Sequence, residues 1–180
     1  VYDLIKYLDS LHLVARTGPI MESIKLLSKG PFLIDRVQIR IDDESNDRLL
    51  PLHQEVYGQI SWRCINAWVP LVSVTPQSGA LRIVPGSHTA GHLAHRFYSE
   101  LNNAHGVNEE NINIKDIVTP SLDAGDAVIF HPFLVHGSGT NAGDKTRWTM
   151  VARYNPIEQI PYLEDPGMPL YIEQQDAGKY

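Results

Sequence analysis

The sequence predicts a mainly β domain, a sandwich or a barrel, preceded by helices at its N-terminus. Between residues 51 and 155 the apolar residues fall in short runs separated by Gly, Pro, Asn and Ser, which is typical of many short strands joined by turns. No internal repeat, low-complexity tract or linker divides the 180 residues. We therefore expect one domain over residues 1–180.

Two helical patterns come first. Over residues 2–14 the apolar positions roughly follow a helical period, and a second helix is expected over Pro19–Lys29. Its proline suits a first helical turn, and the Gly–Pro pair that follows is expected to end the helix. This places a helical flank at residues 1–30, ahead of a β core at about 32–155.

After the second helix the period of the sequence changes. Apolar and polar side chains alternate over residues 32–41, as in a half-buried strand. The polar residues 42–48 predict a loop, and a short helix is expected near 90–103. The tail at 156–180 holds several prolines and is expected to be irregular. The remaining strands are expected in the apolar runs at 61–71, 80–84, 116–119, 126–130, 133–136 and 146–154.

The charge of the chain argues against a polyanionic partner. The formal net charge is −6 and the Lys and Arg residues are scattered, so no basic surface is expected for nucleic acid or an anionic membrane. No apolar run approaches the roughly 18 residues of a membrane span. The single cysteine, Cys64, excludes an intrachain disulfide and favours a reducing compartment, so we expect a cytoplasmic protein. The first residues do not predict a signal peptide, and the start at Val1 leaves open a segment upstream.

A histidine and a glutamate stand two residues apart in PLHQEVYG. In an extended chain His53 and Glu55 project from one face, where an imidazole and a carboxylate can share a metal ion. A third ligand can come from a distant strand, and His136 in FLVHGSGTN is the best candidate. Two histidines and one carboxylate suit a non-haem iron(II) and leave coordination positions open. An H-x-E pair also arises by chance, so the surrounding sequence has to show whether His53 and Glu55 are metal ligands.

That surrounding sequence resembles the phytanoyl-CoA dioxygenase family of 2-oxoglutarate-dependent oxygenases over residues 51–154. Five segments match the family in order and spacing, which makes the resemblance far more specific than any one motif. They are LHQEVYG at 52–58, INAWVPL at 65–71, SGALRIVPGSH at 78–88, AGDAVIFHPFLVHGSGTN at 124–141 and RWTMVARY at 147–154.

The resemblance implies a double-stranded β-helix, a cupin-like jelly-roll, with Fe(II) and 2-oxoglutarate as cofactors. Carried over residue by residue, it implies that His53, Glu55 and His136 are the metal ligands. The family's usual acid is Asp, so Glu55 is a departure with one extra methylene. The carboxylate at this position also argues against a halogenase, in which Ala or Gly leaves room for chloride.

The resemblance also implies residues for the cosubstrate. Arg147 follows His136 by eleven residues, the family's separation, and its planar fork suits the distal carboxylate of 2-oxoglutarate. Ser138 resembles the hydroxyl that supports the same carboxylate, and Trp68 matches a tryptophan beside the cosubstrate. Gln38 lies on a strand from which relatives make a polar contact to 2-oxoglutarate. Core packing for the tryptophan and an exposed strand face for the glutamine remain open alternatives.

Four other histidines are also candidate metal ligands. His88, His92 and His95 could suggest a second metal site, but a structural role is the stronger expectation. His131 is a rival to His136, yet it stands in FHP rather than HGSG, and we expect it near the entrance.

The sequence therefore predicts an Fe(II)- and 2-oxoglutarate-dependent dioxygenase that hydroxylates an aliphatic carbon of a small molecule, releasing succinate and CO2. Dioxygen and the small molecule are the expected partners, with no nucleic acid and no membrane, and the oligomeric state stays open. One alternative is a metal-binding cupin-like protein without oxygenase activity, an isomerase or a binding module, which has no need for a carboxylate clamp at Arg147. Another is a metal-free sugar-binding or structural jelly-roll.

Overall fold

Two helices precede the β core in the computed structural model, which describes residues 8–157 apart from 17, 45–49, 57–60, 100–103, 109 and 111. Helix α1 spans Asp9–Arg16 and helix α2 spans Gly18–Ser28, which confirms the second predicted helix. The first is confirmed from Asp9 onward, and its residues 2–7 lie outside the described part of the chain. No helix among the described residues is long and apolar enough to cross a membrane.

Eight strands form the β core of the described chain, and six of them overlap the predicted strand or apolar runs. They are β1 (Phe32–Asp42), β2 (Ile65–Pro70), β3 (Leu81–Ile83), β4 (His95–Tyr98), β5 (Ala104–Val107), β6 (Val128–Phe130), β7 (His136–Ser138) and β8 (Arg147–Pro156). The run predicted at 116–119 contributes an isolated bridge between Val118 and Ile83.

The larger sheet has the strand order β1–β8–β2–β6, and its neighbouring strands are antiparallel. Residues opposite one another in such a ladder point to the same face. One face of β8 carries Met150, Ala152 and Tyr154, which share the main hydrophobic core with residues of α1 and α2. We call the opposite face of this sheet the inner face. On β8 it carries Arg147, Thr149, Val151 and Arg153.

A second, smaller sheet packs against the inner face. Strands β3 and β7 pair antiparallel, and an isolated bridge joins His53 to His136 at the edge of β7. An apolar cluster fills the space between the sheets; its buried members are Trp68, Val74, Ala80, Leu81, Phe130 and Leu134. Two antiparallel sheets around an apolar interior form a jelly-roll, so the predicted double-stranded β-helix with flanking helices is confirmed.

The short helix predicted near 90–103 is wrong. A 3₁₀ turn at Ser87–Ala90 and the β4–β5 hairpin lie there instead. The Tyr98 hydroxyl donates to the carbonyl of Val107 at 2.9 Å, and Val107 N–H donates to the carbonyl of Leu52 at 2.7 Å. Pairing with the segment before His53 therefore overrides the local helical pattern.

The predicted polar loop at 42–48 begins one residue too early. Asp42 is the last residue of β1, is only 5% exposed, and stands opposite Arg147 in the ladder. Its partner is 105 residues away in the chain, so no local pattern could identify Asp42 as a strand residue. Of the predicted tail at 156–180, residues 158–180 lie outside the described part of the chain.

Candidate metal centre

Two histidines and one carboxylate meet beside the inner face. The ligand atoms of His53, Glu55 and His136 all lie within 4.8 Å of one another. Glu55 Oε1 is 3.7 Å from His53 Nε2 and 3.5 Å from His136 Nε2. In the part of the chain that the structure describes, no second group of this kind is found. The structure thus brings together the three ligands predicted from the sequence.

Backbone pairing fixes the two imidazoles. His53 and His136 exchange both backbone N–H···O bonds, at 2.8 and 3.0 Å, and their ring centroids are 4.4 Å apart. The Nδ1–H of His53 donates to the carbonyl of Pro51 and that of His136 donates to the carbonyl of Leu134, each at 2.9 Å. Because a carbonyl can only accept, both rings carry a proton on Nδ1, and each ring presents its Nε2 lone pair when it is neutral. This donor set fits a metal ion.

The residue between the two nearby ligands, Gln54, points away from the centre and is 2% exposed. Its Nε2 donates to the carbonyls of Gly91 and Phe133 at 2.8 and 2.7 Å, and its Oε1 accepts from the Leu93 N–H at 2.8 Å. These bonds tie the H-x-E segment to two other loops. Gln54 was not predicted from the sequence, although alternation along H-Q-E already places it on the opposite face.

Glu55 divides its two oxygens between the histidines and a buried arginine. Oε2 accepts from Arg153 Nη2 at 2.5 Å, while Oε1 faces both imidazoles. Burial would raise the pKa of Glu55, but the imidazoles of His136 and His53 and the Arg153 guanidinium hold this pKa well below its usual value. Burial and the neighbouring His53 lower the pKa of His136, which favours the neutral ring that a metal requires.

Arg153 was also missed from the sequence. It is 8% exposed, on the same face of β8 as Arg147 and six residues further along. The even spacing between Arg147 and Arg153 was the signal available in the sequence, because residues an even number apart in a strand lie on the same face.

Of the four side chains predicted to bind the cosubstrate, three lie on the inner face by strand register and the fourth, Ser138, lies on β7. In the larger sheet, Gln38 and Trp68 stand on either side of Val151 in one row, between the positions of Arg153 and Arg147. Ser138 is buried two residues along β7 from His136. Trp68 belongs to the interior apolar cluster, so it packs in the core whether or not it also touches a cosubstrate. Cosubstrate contacts for these residues remain a prediction.

Arg147 is buried and holds partners from the protein itself. Its Nη2 donates to Asp42 Oδ2 at 2.7 Å, and its Nη1 donates to the carbonyls of Gly79 and Gly139. Burial would raise the pKa of Asp42, but the hydrogen bond from Arg147 and the charge of Arg40 lower it, so Asp42 is a carboxylate at neutral pH. The predicted anchor for a carboxylate therefore already contacts one.

Buried polar atoms without a hydrogen-bond partner cluster on the inner face. Among the described residues they include Asn66 Nδ2, Thr149 Oγ1 and Arg147 Nε. Strand register places all three on the inner face: Asn66 stands opposite Arg153, Arg147 stands opposite Asp42, and Thr149 lies between these two rows. An unsatisfied buried polar group costs about 1–3 kcal/mol, so several together indicate a polar ligand or water. These atoms fit a small polar cosubstrate.

The other histidines do not build a second centre within the described residues. Both ring nitrogens of His95 are engaged by backbone groups, a carbonyl at 2.8 Å and an N–H at 3.2 Å. The ring of His92 stacks on His95 with centroids 5.3 Å apart. His131 is exposed, 5.9 Å from the ring of His88, and does not join the metal-ligand group.

A cavity of about 620 Å³ lies beside strand β6, and the three candidate metal ligands are not among its lining residues. Its wall includes Phe130, whose ring centroid is 4.5 Å from that of His136, and Leu134, whose carbonyl accepts from His136. Lys29, Arg63, His88 and His131 also line it. The volume lies within the roughly 300–1,000 Å³ of small-molecule sites.

Fold and site together define a cupin-like jelly-roll that presents a His–Glu–His ligand set. A family model described as phytanoyl-CoA dioxygenase (PhyH) matches residues 24–149, well over half of the chain. The chain belongs to the phytanoyl-CoA dioxygenase family.

Curated relatives agree with this assignment. The peroxisomal phytanoyl-CoA dioxygenase of Homo sapiens is 32% identical over 148 residues, which cover 77% of this chain and 39% of the relative. The L-proline trans-4-hydroxylase of Streptomyces griseoviridis is 22% identical over 170 residues, covering 82% of this chain and 63% of the relative. The chain thus spans about two fifths of the length of the human relative.

Solved structures share the fold. The epimerase SnoN in complex with Fe3+, alpha-ketoglutarate and nogalamycin RO superposes with a TM-score of 0.69 at 24% identity, covering 86% of this chain and 62% of that one. EctD from S. alaskensis with bound Fe gives a TM-score of 0.70 at 19% identity, covering 88% and 57%.

Proposed function

We propose that the protein is an Fe(II)- and 2-oxoglutarate-dependent dioxygenase that hydroxylates an aliphatic carbon of a small molecule. The observation that carries the proposal is the convergence of His53 Nε2, His136 Nε2 and Glu55 Oε1, with both imidazole tautomers fixed by backbone carbonyls. Family membership supports the same class of chemistry.

In this proposal the three ligands hold iron(II) on one side and leave the other side open to cosubstrate and dioxygen. Bound iron, with 2-oxoglutarate as the source of electrons, supplies the activation of dioxygen. The chain contributes positioning: Arg153 holds the outer oxygen of Glu55, so that Oε1 alone is directed at the metal side. The inner face excludes bulk water through Trp68 and Phe130.

The cosubstrate is proposed to lie along the inner face, with its distal carboxylate at Arg147 and Ser138. Gln38 and Trp68 would flank its length, since their row lies between the two arginine positions of β8. Thr149, whose buried hydroxyl has no hydrogen-bond partner among the described residues, offers a further hydrogen bond beside Arg147.

Hydroxylation is preferred over halogenation because Glu55 provides the carboxylate that a halogenase lacks. The substrate is proposed to enter through the cavity beside Phe130, and its identity stays open. The proposal includes a cytoplasmic location, which rests on Cys64, the single cysteine of the sequence, which is buried and forms no disulfide.

One observation favours the alternative, a metal-binding cupin-like protein without oxygenase activity. Arg147 already holds a carboxylate of the protein, Asp42, and two backbone carbonyls. A purely structural arginine would look the same. The experiment therefore has to ask whether this arginine binds cosubstrate.

Anaerobic titration of the Fe(II)-loaded protein with 2-oxoglutarate tests the proposal through the charge-transfer absorption band of the chelate. We expect the band in the parent protein, none in His53→Ala, and an affinity reduced by about tenfold or more in Arg147→Gln, because a charge-assisted bidentate contact is lost. Arg96→Gln, at an exposed arginine on β4, is the matched control. A parent protein without the band, or an Arg147→Gln protein that titrates like the parent, would refute the oxygenase proposal.

A further inference from the structure

The side chain of Asp42 lies where the proposed function needs the cosubstrate's distal carboxylate to bind. Its Oδ2 accepts from Arg147 Nη2 at 2.7 Å, and its Oδ1 accepts from Arg40 Nη2 at 3.3 Å. The Asp42 side chain is only 7% exposed, so solvent screens its interaction with Arg147 weakly. The chain therefore carries its own occupant for the guanidinium.

Two carboxylates cannot share one guanidinium without cost. Asp42 is ionised at neutral pH, because the hydrogen bond from Arg147 and the charge of Arg40 outweigh the effect of burial on its pKa. A second carboxylate at Arg147 would face this negative charge in a largely buried place, where like charges repel strongly. Cosubstrate binding must therefore work against Asp42 or move it.

The structure offers a route for moving it. Arg40 already holds the other oxygen of Asp42, and its side chain is 30% exposed, against 3% for Arg147. The backbone of Asp42 is fixed, since Asn141 Nδ2 donates to its carbonyl at 3.0 Å. A rotation of the carboxylate alone would break the contact with Arg147 and keep the one with Arg40.

We propose that Asp42 is a resident counter-ion of Arg147 that the distal carboxylate of 2-oxoglutarate replaces, with Arg40 retaining Asp42 during the exchange. Asp42 then sets the affinity for dicarboxylate oxo acids and does not affect oxo acids that lack the second carboxylate. This inference rests on the proposed function, because it takes Arg147 as the cosubstrate anchor.

The test compares two oxo acids that chelate iron through the same end. 2-Oxoglutarate has a distal carboxylate and 2-oxobutyrate has none. We expect Asp42→Asn to bind 2-oxoglutarate about tenfold more tightly than the parent, since a like charge is removed, and to bind 2-oxobutyrate unchanged. Asp43→Asn, at the exposed neighbour, is the matched control and should leave both affinities unchanged.

Arg40 provides the second arm. Arg40→Met should weaken 2-oxoglutarate binding several-fold in the parent, because Asp42 loses its other partner and stays on Arg147. In the Asp42→Asn background the same change should have no effect. This dependence on Asp42 separates the exchange from a general loss of positive charge, which would weaken binding in both backgrounds.

The outcomes are distinguishable. A parent protein that forms no chelate with either oxo acid refutes the proposed function and this inference together. A parent protein that forms the chelate, with Asp42→Asn binding 2-oxoglutarate equally or more weakly, overturns the inference alone, as does an equal shift for both oxo acids. Should Asp42→Asn lose its cooperative thermal unfolding, Asp42→Ser takes its place with the same expected result.

Discussion

Replacing Gln54 by leucine should destabilise the protein and loosen its metal centre. Leucine keeps a similar volume but removes three hydrogen bonds, two to the carbonyls of Gly91 and Phe133 and one from the N–H of Leu93. At about 0.5–1.5 kcal/mol of net stability for each bond, the free energy of unfolding should fall by about 1.5–4.5 kcal/mol. The upper part of this range applies because Gln54 is 2% exposed and water cannot easily replace it.

Urea unfolding of the metal-free protein measures this change. With a typical dependence of unfolding free energy on urea, the midpoint should fall by about 1–2 M. The metal affinity should fall as well, by about tenfold, because His53 and Glu55 flank Gln54 and lose their anchorage to the neighbouring loops. A titration with Co(II), followed by its visible absorption, gives that second value.

The matched control is Gln77→Leu, at an exposed glutamine. It should change the free energy of unfolding by less than about 0.5 kcal/mol, as surface substitutions usually do. If Gln54→Leu unfolds at the same urea concentration as this control, then the three bonds do not hold the H-x-E segment. A loss of stability without any loss of metal affinity would refute only the link to the metal centre.

Two further predictions concern pH and packing. The metal-free protein should become less stable as the pH falls from about 7 to 5, because burial lowers the pKa of His95 and His136 and the unfolded chain then binds more protons. Equal urea midpoints at both pH values would contradict this, and the low pKa of Glu55 acts only below this window. Gly106→Ala should cost about 1–3 kcal/mol, because a Cβ there would lie 2.6 Å from the Pro51 side chain. Thermal unfolding checks it against Gly143→Ala, where the nearest atom is 3.2 Å away on a side chain, and similar losses in both would refute the argument.

The proximity of His53 and Glu55 could be predicted from the sequence because their geometry is local. His53 and Glu55 share a face by strand alternation alone, and the HGSG context marks His136. The strand β1 and the helix α2 were predictable for the same reason, since each follows from a period within a dozen residues. The resemblance to a family then supplied the topology, which local periods do not contain.

The side chains that support the ligands could not be predicted, because their partners are remote in the chain. Arg153 and Glu55 are 98 residues apart, and Arg147 and Asp42 are 105 apart. An isolated arginine on a strand is equally compatible with a solvent-exposed face. The β4–β5 hairpin was not predicted, for a related reason. Its strands are fixed by their pairing with each other and by the contact with Leu52, and not by a local β pattern.

The departure at residue 55 gains a physical explanation from Arg153. A glutamate is longer than the family's aspartate by one methylene, so its carboxylate could in principle place both oxygens on a metal and use an extra coordination position. In this structure Oε2 is held by Arg153 at 2.5 Å and only Oε1 faces His53 and His136. A single oxygen then reaches the metal side, which leaves the positions that a chelating cosubstrate and dioxygen require. The arginine and the longer acid therefore act as one unit, and neither can be judged from the H-x-E pattern alone.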